Sequence, residues 1–150
     1  MKLTVKQTKC LDLLEDRKTT EILFGGGVAG GKSSLGCYWI IKHAVKYPGT
    51  RWLIGRSVFK TLRETTQKTF LETLSNEGLE SPQHFEFNQG TNTVTFMNGS
   101  EVLFKDLYCY PSDPEFDDLG SLEITGAFID ECNQVVEKLW EVLKSRIRYK

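Results

Sequence analysis

The chain has 150 residues, 39% apolar and 26% charged, which suits one soluble globular domain with a single core. No apolar run approaches the roughly 18 residues of a membrane span, and the stretch from Met1 to Lys6 lacks the apolar core of a signal peptide. A net charge of −1 excludes a basic nucleic-acid-binding module, and the cysteines at 10, 37, 109 and 132 form no Cys-x-x-Cys pair, so they read as free thiols of a reducing compartment.

Val5–Asp16 reads as a short helix offering Val5, Cys10, Leu11 and Leu14 for packing. Thr20–Phe24 reads as a short buried strand, cut off by Gly25-Gly26-Gly27. Lys32–Tyr47 reads as a helix stopped by Pro48-Gly49. Its Leu35, Trp39, Ile40, Ile41, Ala44 and Val45 cover much of the circumference, which predicts contacts on more than one side. A second strand spans Arg51–Gly55. Ser57 is a candidate cap for a third helix reaching Asn76, with Phe59, Leu62, Thr66, Phe70 and Leu74 on one face.

From Phe85 the period drops to two. Thr93–Met97 and Glu101–Lys105 flank Asn98-Gly99, a tight-hairpin signal. Tyr110–Gly120 is a loop rich in Pro and Asp. Gly126–Ile129 reads as a buried strand ending in Asp130-Glu131, and a last helix spans Val135–Ile147. The alternation of strands and helices predicts a parallel α/β sheet, with the hairpin as an antiparallel insertion or edge.

Two motifs carry chemistry. Gly26-Gly27-Val28-Ala29-Gly30-Gly31-Lys32-Ser33 fits the P-loop pattern G-x-x-x-x-G-K-[ST] between a strand and a helix. Its glycines let the backbone wrap an anion with N–H groups pointing inward, at the positive end of the following helix. Lys32 would reach the β- and γ-phosphates of ATP, the Ser33 hydroxyl would coordinate Mg²⁺, and Ser34 joins the phosphate-side candidates. Ala127-Phe128-Ile129-Asp130-Glu131 fits a Walker B segment, in which Asp130 holds Mg²⁺ and Glu131 orients the attacking water. An acidic residue directly after the Asp favours hydrolysis over transfer to a bound acceptor.

Charge is distributed unevenly. Residues 32–68 hold eight Lys or Arg against Glu64 alone, and residues 106–141 hold ten Asp or Glu against Lys138 alone. Phosphates and a metal between the two halves suit this arrangement. Two solvated faces of opposite sign explain it equally well.

These residues resemble the N-terminal ATPase domain of the large terminase subunit of tailed bacteriophages. Gln7 resembles that family's adenine-recognising glutamine upstream of the P-loop, and Gly25–Ser33 its Walker A loop. Thr93–Leu107 resembles its hairpin of apolar strand, Asn-Gly-Ser and apolar strand. Gly120–Arg148 resembles its stretch from Gly-Ser through Asp-Glu to a helix ending in Ser-Arg-x-Arg.

The resemblance implies a RecA-like, additional-strand P-loop fold, mainly parallel and flanked by helices, with ATP and Mg²⁺ as cofactors. It implies a motor that packages double-stranded phage DNA into procapsids. Such a motor works as a homo-oligomeric ring on the portal protein, with a small terminase subunit, in the host bacterial cytoplasm. A helicase-like or other nucleic-acid-remodelling ATPase, or a nucleotide-binding fragment without turnover, are the alternatives.

Some terminases place a trans-acting arginine before a glycine shortly upstream of Walker B, where Leu119 precedes Gly120 here. Arg56, Arg146 and Arg148 are therefore the arginine candidates. The family pattern also expects a further strand between the Walker A and Walker B strands, and a nuclease domain. Residues 1–150 are thus expected to be the N-terminal part of a longer protein, with Ile22–Phe24 and Ala127–Ile129 not paired to each other.

Overall fold

A six-residue strand, β1 (Arg51–Arg56), organises the fold in the computed structural model, which describes residues 3–16, 18, 21–24, 31–119 and 122–147. Trp52, Leu53, Ile54 and Gly55 are all buried, so both faces of β1 are covered, as a short continuous apolar run requires. It pairs in parallel with β4 (Glu101–Asp106) on one side and with β5 (Gly126–Ile129) on the other. Beyond β4 lie β3 (Thr93–Phe96) and β2 (Phe85–Asn88), both antiparallel to their neighbours, giving the order β2-β3-β4-β1-β5. The predicted hairpin, β3–β4, therefore lies inside the sheet with β2 as the edge beyond it, and its second strand doubles as the parallel neighbour of β1.

Alternation along β1 splits the core in two. Trp52 and Ile54 pack with Ile40, Ile41 and Ala44 of α2 (Lys32–Lys46) and with Phe70 and Leu74 of α4 (Gln67–Asn76). Leu53 faces the other layer, with Leu107, Leu119, and Leu139 and Leu143 of α5 (Glu137–Arg146). Gly36 lets α2 approach the sheet, because a Cβ there would lie 2.4 Å from the Phe128 ring. On the far side of α2, α1 (Val5–Leu14) sets Cys10 and Leu11 against Leu35.

Several expectations change. Residues 21–24 form no strand; Ile22 and Phe24 pack on the α1–α2 cluster instead. Ser57 does not cap the third helix: α3 (Phe59–Thr61) starts after Val58, with no side-chain cap bond. That helix runs through a π-helical turn, Leu62–Thr66, into α4. The last helix starts later than expected, after a 3₁₀ turn at Cys132–Gln134. In β5, Ala127 pairs with Leu53, so Ile22–Phe24 and Ala127–Ile129 are not ladder partners. The Thr125 N–H donates to Arg51 O at 2.6 Å, and that of Ile124 to Arg146 O at 3.0 Å. Successive amides of an extended strand point to opposite edges. Arg146 and Ile147, which bridges to Ile124 in parallel, therefore line the segment leading into β5 on its side away from β1.

The Asn98-Gly99-Ser100 turn fastens the hairpin to α2. Asn98 Nδ2 donates to the carbonyls of Ala44 (2.8 Å) and Val45 (3.0 Å), which have no partner further along the helix. Asn98 Oδ1 accepts from Ser100 N–H at 3.0 Å, and Ser100 Oγ donates to Tyr47 O at 2.8 Å. Thr50 Oγ1 completes the knot, donating to Tyr47 O and accepting from Trp52 Nε1, both at 2.8 Å. Asn98→Ala removes two bonds to the helix end and one within the turn. It should lower stability by about 1–2 kcal/mol in urea unfolding, with the unfolding slope unchanged.

Candidate functional site

The carboxyl ends of β1 and β5 and the amino end of α2 converge on one edge of the sheet. The Asp130 N–H donates to Gly55 O at 2.9 Å, so the β1–β5 ladder continues into Asp130 and fixes where its side chain leaves the strand. Asp130 is only 4% exposed. A buried carboxylate is strongly disfavoured unless donors and positive charge surround it.

The fold supplies both. Ser33 Oγ, in the first turn of α2, lies 2.9 and 3.0 Å from the two carboxylate oxygens. Thr66 Oγ1 donates to Oδ2 at 2.6 Å. Arg56 Nη1, at the end of β1, lies 3.6 Å from the same oxygen. The positive end of the α2 dipole adds to these.

Gly31 precedes α2 in a left-handed conformation, with φ +68°. Its carbonyl accepts from Leu35 N–H and from Gln7 Nε2, each at 3.0 Å. Gln7 is buried, and its Oε1 accepts from Thr4 N–H at 2.9 Å, so its amide braces the start of α2 from below. A Cβ on Gly31 would meet Gln7 Nε2 at 2.3 Å, so both conformation and space demand glycine here. Lys32, Ser33 and Ser34 form the first turn of α2 and are half-buried. Gly26, Gly27, Val28, Ala29, Gly30 and Arg148 lie outside the described residues.

The arginines separate. Arg56 donates from Nη1 to Thr65 Oγ1 at 2.7 Å, while its Nε is buried with no hydrogen-bond partner among the described residues. Arg146 sits elsewhere: its carbonyl meets Ile124, before the start of β5, whereas Asp130 follows its end. Glu131 follows Asp130 in a left-handed conformation, φ 52° and ψ 53°, which costs a non-glycine residue about 1–2 kcal/mol. The turn at Glu131 takes the chain out of the sheet and into the 3₁₀ helix, leaving Asp130 buried and Glu131 half-buried.

No group of three or more His, Cys, Asp or Glu among the described residues could cage a metal. A hydroxyl beside a buried carboxylate fits a cation that takes few protein ligands and completes its shell with phosphate and water, as Mg²⁺ does. Beneath the site, Cys37 Sγ lies 3.9 Å from Thr66 O. Burial, and then the charge of Asp130, push the Cys37 thiol well above its ordinary pKa.

Sequence reasoning missed Thr66, Thr65 and Cys37 as part of this site. For Thr66 one signal existed: it is the only polar member of the apolar face Phe59, Leu62, Thr66, Phe70, Leu74.

The sequence model of a family described as phage terminase large subunit matches residues 17–150. Among solved structures, the large terminase of a thermophilic bacteriophage superposes with a TM-score of 0.79 at 16% identity, over 98% of this chain and 36% of that one. The same protein in complex with ADP gives 0.74 at 17% identity, over 97% and 36%. Its complex with ATP-γ-S gives 0.70 at 17%, over 97% and 35%. These likenesses show the RecA-like P-loop fold, and the chain spans about a third of the length of the proteins it matches. No curated protein matches the chain in sequence.

The burial of the site can be checked through its thiol. The thiolate is the reactive form, so a raised pKa leaves less of it at pH 8. Cys37, and Cys10, whose pKa burial also raises, should react with iodoacetamide at least roughly tenfold slower than the half-buried Cys109 and Cys132. Mass spectrometry of the native protein at pH 8 reads the order; equal labelling of Cys37 and Cys109 would contradict the buried site.

Proposed function

Because the chain belongs to the phage terminase large-subunit family, we propose that it is the ATP-hydrolysing part of the motor that packages double-stranded phage DNA. One observation carries the reading: Ser33 and Asp130, 97 residues apart, meet at 2.9 Å on the carboxyl edge of the sheet, at the start of a 15-residue helix. That is where α/β folds bind nucleotides. The thermophilic phage's terminase has been solved with ADP and with ATP-γ-S, which supports the same ligand class here.

The residues take the following roles in this reading. The loop Gly26–Gly31 and Ser34 hold phosphates through backbone N–H groups and the helix end, and Lys32 pairs with the β- and γ-phosphates. Ser33 and Asp130 hold Mg²⁺, which when bound neutralises phosphate charge. Glu131 accepts a hydrogen bond from the attacking water and orients it. Arg56 is the described arginine that reaches Asp130, and its buried Nε, without a hydrogen-bond partner among the described residues, suits a phosphate oxygen. Gln7, set beneath Gly31, ties α1 to the loop and is the adenine-side candidate. Arg146 and Arg148 are proposed to act only across a subunit boundary.

The family membership supports proposing a wider assembly as well: a homo-oligomeric ring docked on the portal protein of a procapsid, with a small terminase subunit, in the host cytoplasm. No described helix is long and apolar enough to cross a membrane.

Nucleotide binding and phosphate release, measured side by side at concentrations where subunits associate, test the reading. Lys32→Ala should lose most ATP affinity. Glu131→Gln should bind ATP within a few-fold of wild type while hydrolysis falls by roughly 10²-fold or more. Undiminished turnover in Glu131→Gln would remove that residue from its role. ATP binding without hydrolysis in the wild type would reduce the chain to a nucleotide-binding module.

A further inference from the structure

Resting on that reading, we propose that Thr66 is a positioning residue for the metal-side carboxylate: delivered by the π-helical turn, its hydroxyl sets the rotation of Asp130 before any cation binds. The Thr66 contact, at 2.6 Å, is the shortest of those to Asp130, and Thr66 is fully buried. Ser33 has one hydroxyl proton, which faces both carboxylate oxygens at 2.9 and 3.0 Å. That single proton, nearly equidistant from the two oxygens, selects neither of them, whether or not the Ser33 oxygen also lends a lone pair to a cation. Arg56, at 3.6 Å, is beyond hydrogen-bond distance. Among the described residues, Thr66 is the side-chain donor committed to one oxygen of Asp130, Oδ2.

Helical threonines ordinarily donate to the carbonyl four residues back. Thr8, Thr65 and Thr73 do so, at 2.9, 2.5 and 2.8 Å. Thr66 instead reaches 64 positions along the chain. The turn makes this possible. Gln67 N–H bonds to Leu62 O, five residues back, which widens the helix at this point. In a regular α-helix, residues four apart drift by about 40° around the axis. The wider turn changes that angle where Thr66 follows Leu62, and Leu62, Thr66, Phe70 and Leu74 all end fully buried on one line. The only hydroxyl on that line is the one facing Asp130. A purely packing role would be served as well by valine, which has nearly the same shape.

Binding of a fluorescent ATP analogue to the chain, with Mg²⁺ or with EDTA, tests the proposal. With Mg²⁺, Thr66→Val should weaken binding roughly 10-fold, Thr66→Ser should stay within about twofold of wild type, and with EDTA all three should bind alike. If the valine form does not fold, Thr66→Cys carries the same test, since a thiol is too weak a donor to replace the hydroxyl. Wild-type affinity in Thr66→Val, an equal loss with EDTA, or a serine variant as weak as valine would overturn the proposal. Failure of the underlying reading looks different: wild type would not bind the analogue, or Lys32→Ala would bind it equally well, and both conclusions would fall.

Discussion

The rest of the site depends on keeping one carboxylate charged inside the protein. Asp130 is nearly sealed from water, and burying a carboxylate is costly unless donors and positive charge surround it. Each element bordering the site contributes one part. Strand β1 takes the Asp130 amide and ends in Arg56, α2 brings Ser33 and its positive end, and the π-helical turn brings Thr66. None of these elements is close to Asp130 in sequence. The carboxylate is therefore satisfied only when the sheet order and both helix positions are correct together, which ties the chemistry to the fold.

Much of this is legible in the sequence. Both ends of β5 follow from its residues, because an apolar run that stops at two acidic residues leaves little freedom in where the strand ends. Asn98-Gly99-Ser100 reads as a hairpin turn from its local conformational demand. Its second task, closing the end of α2, is not legible, because the carbonyls it meets lie more than 50 residues away. Ile22–Phe24 reads as a strand and is not one. Three apolar residues before a glycine run satisfy the strand pattern, but a strand needs a paired neighbour, and residues 21–24 have no ladder partner among the described residues.

Thr66 shows the limit of pattern reading most directly. Periodicity puts it on the buried face of its helix, which is where it lies. Periodicity assumes one fixed turn angle, however, and cannot anticipate a single wider turn. It also cannot say whether a buried hydroxyl serves its own helix or a distant group. The same holds for Arg56: its place at the end of β1 is visible in the sequence, while its orphaned Nε and its contact with Thr65 exist only once α3 and the π turn are packed.

At Glu131, what the main chain prefers and what the proposed chemistry requires pull in opposite directions. Its left-handed backbone is the territory of glycine and, next, asparagine. By conformational preference alone, either would be tolerated there and would relieve the strain. Glycine would bring no side chain, and asparagine no charge. Aspartate, which enters the same region more easily than glutamate, would carry its carboxylate one methylene short. Among the commonly available residues, glutamate is the longest that can deliver a negative charge from this position, and it occupies the site at a local conformational cost. A library of substitutions at this position, scored once for folding and once for turnover, would therefore rank them in different orders.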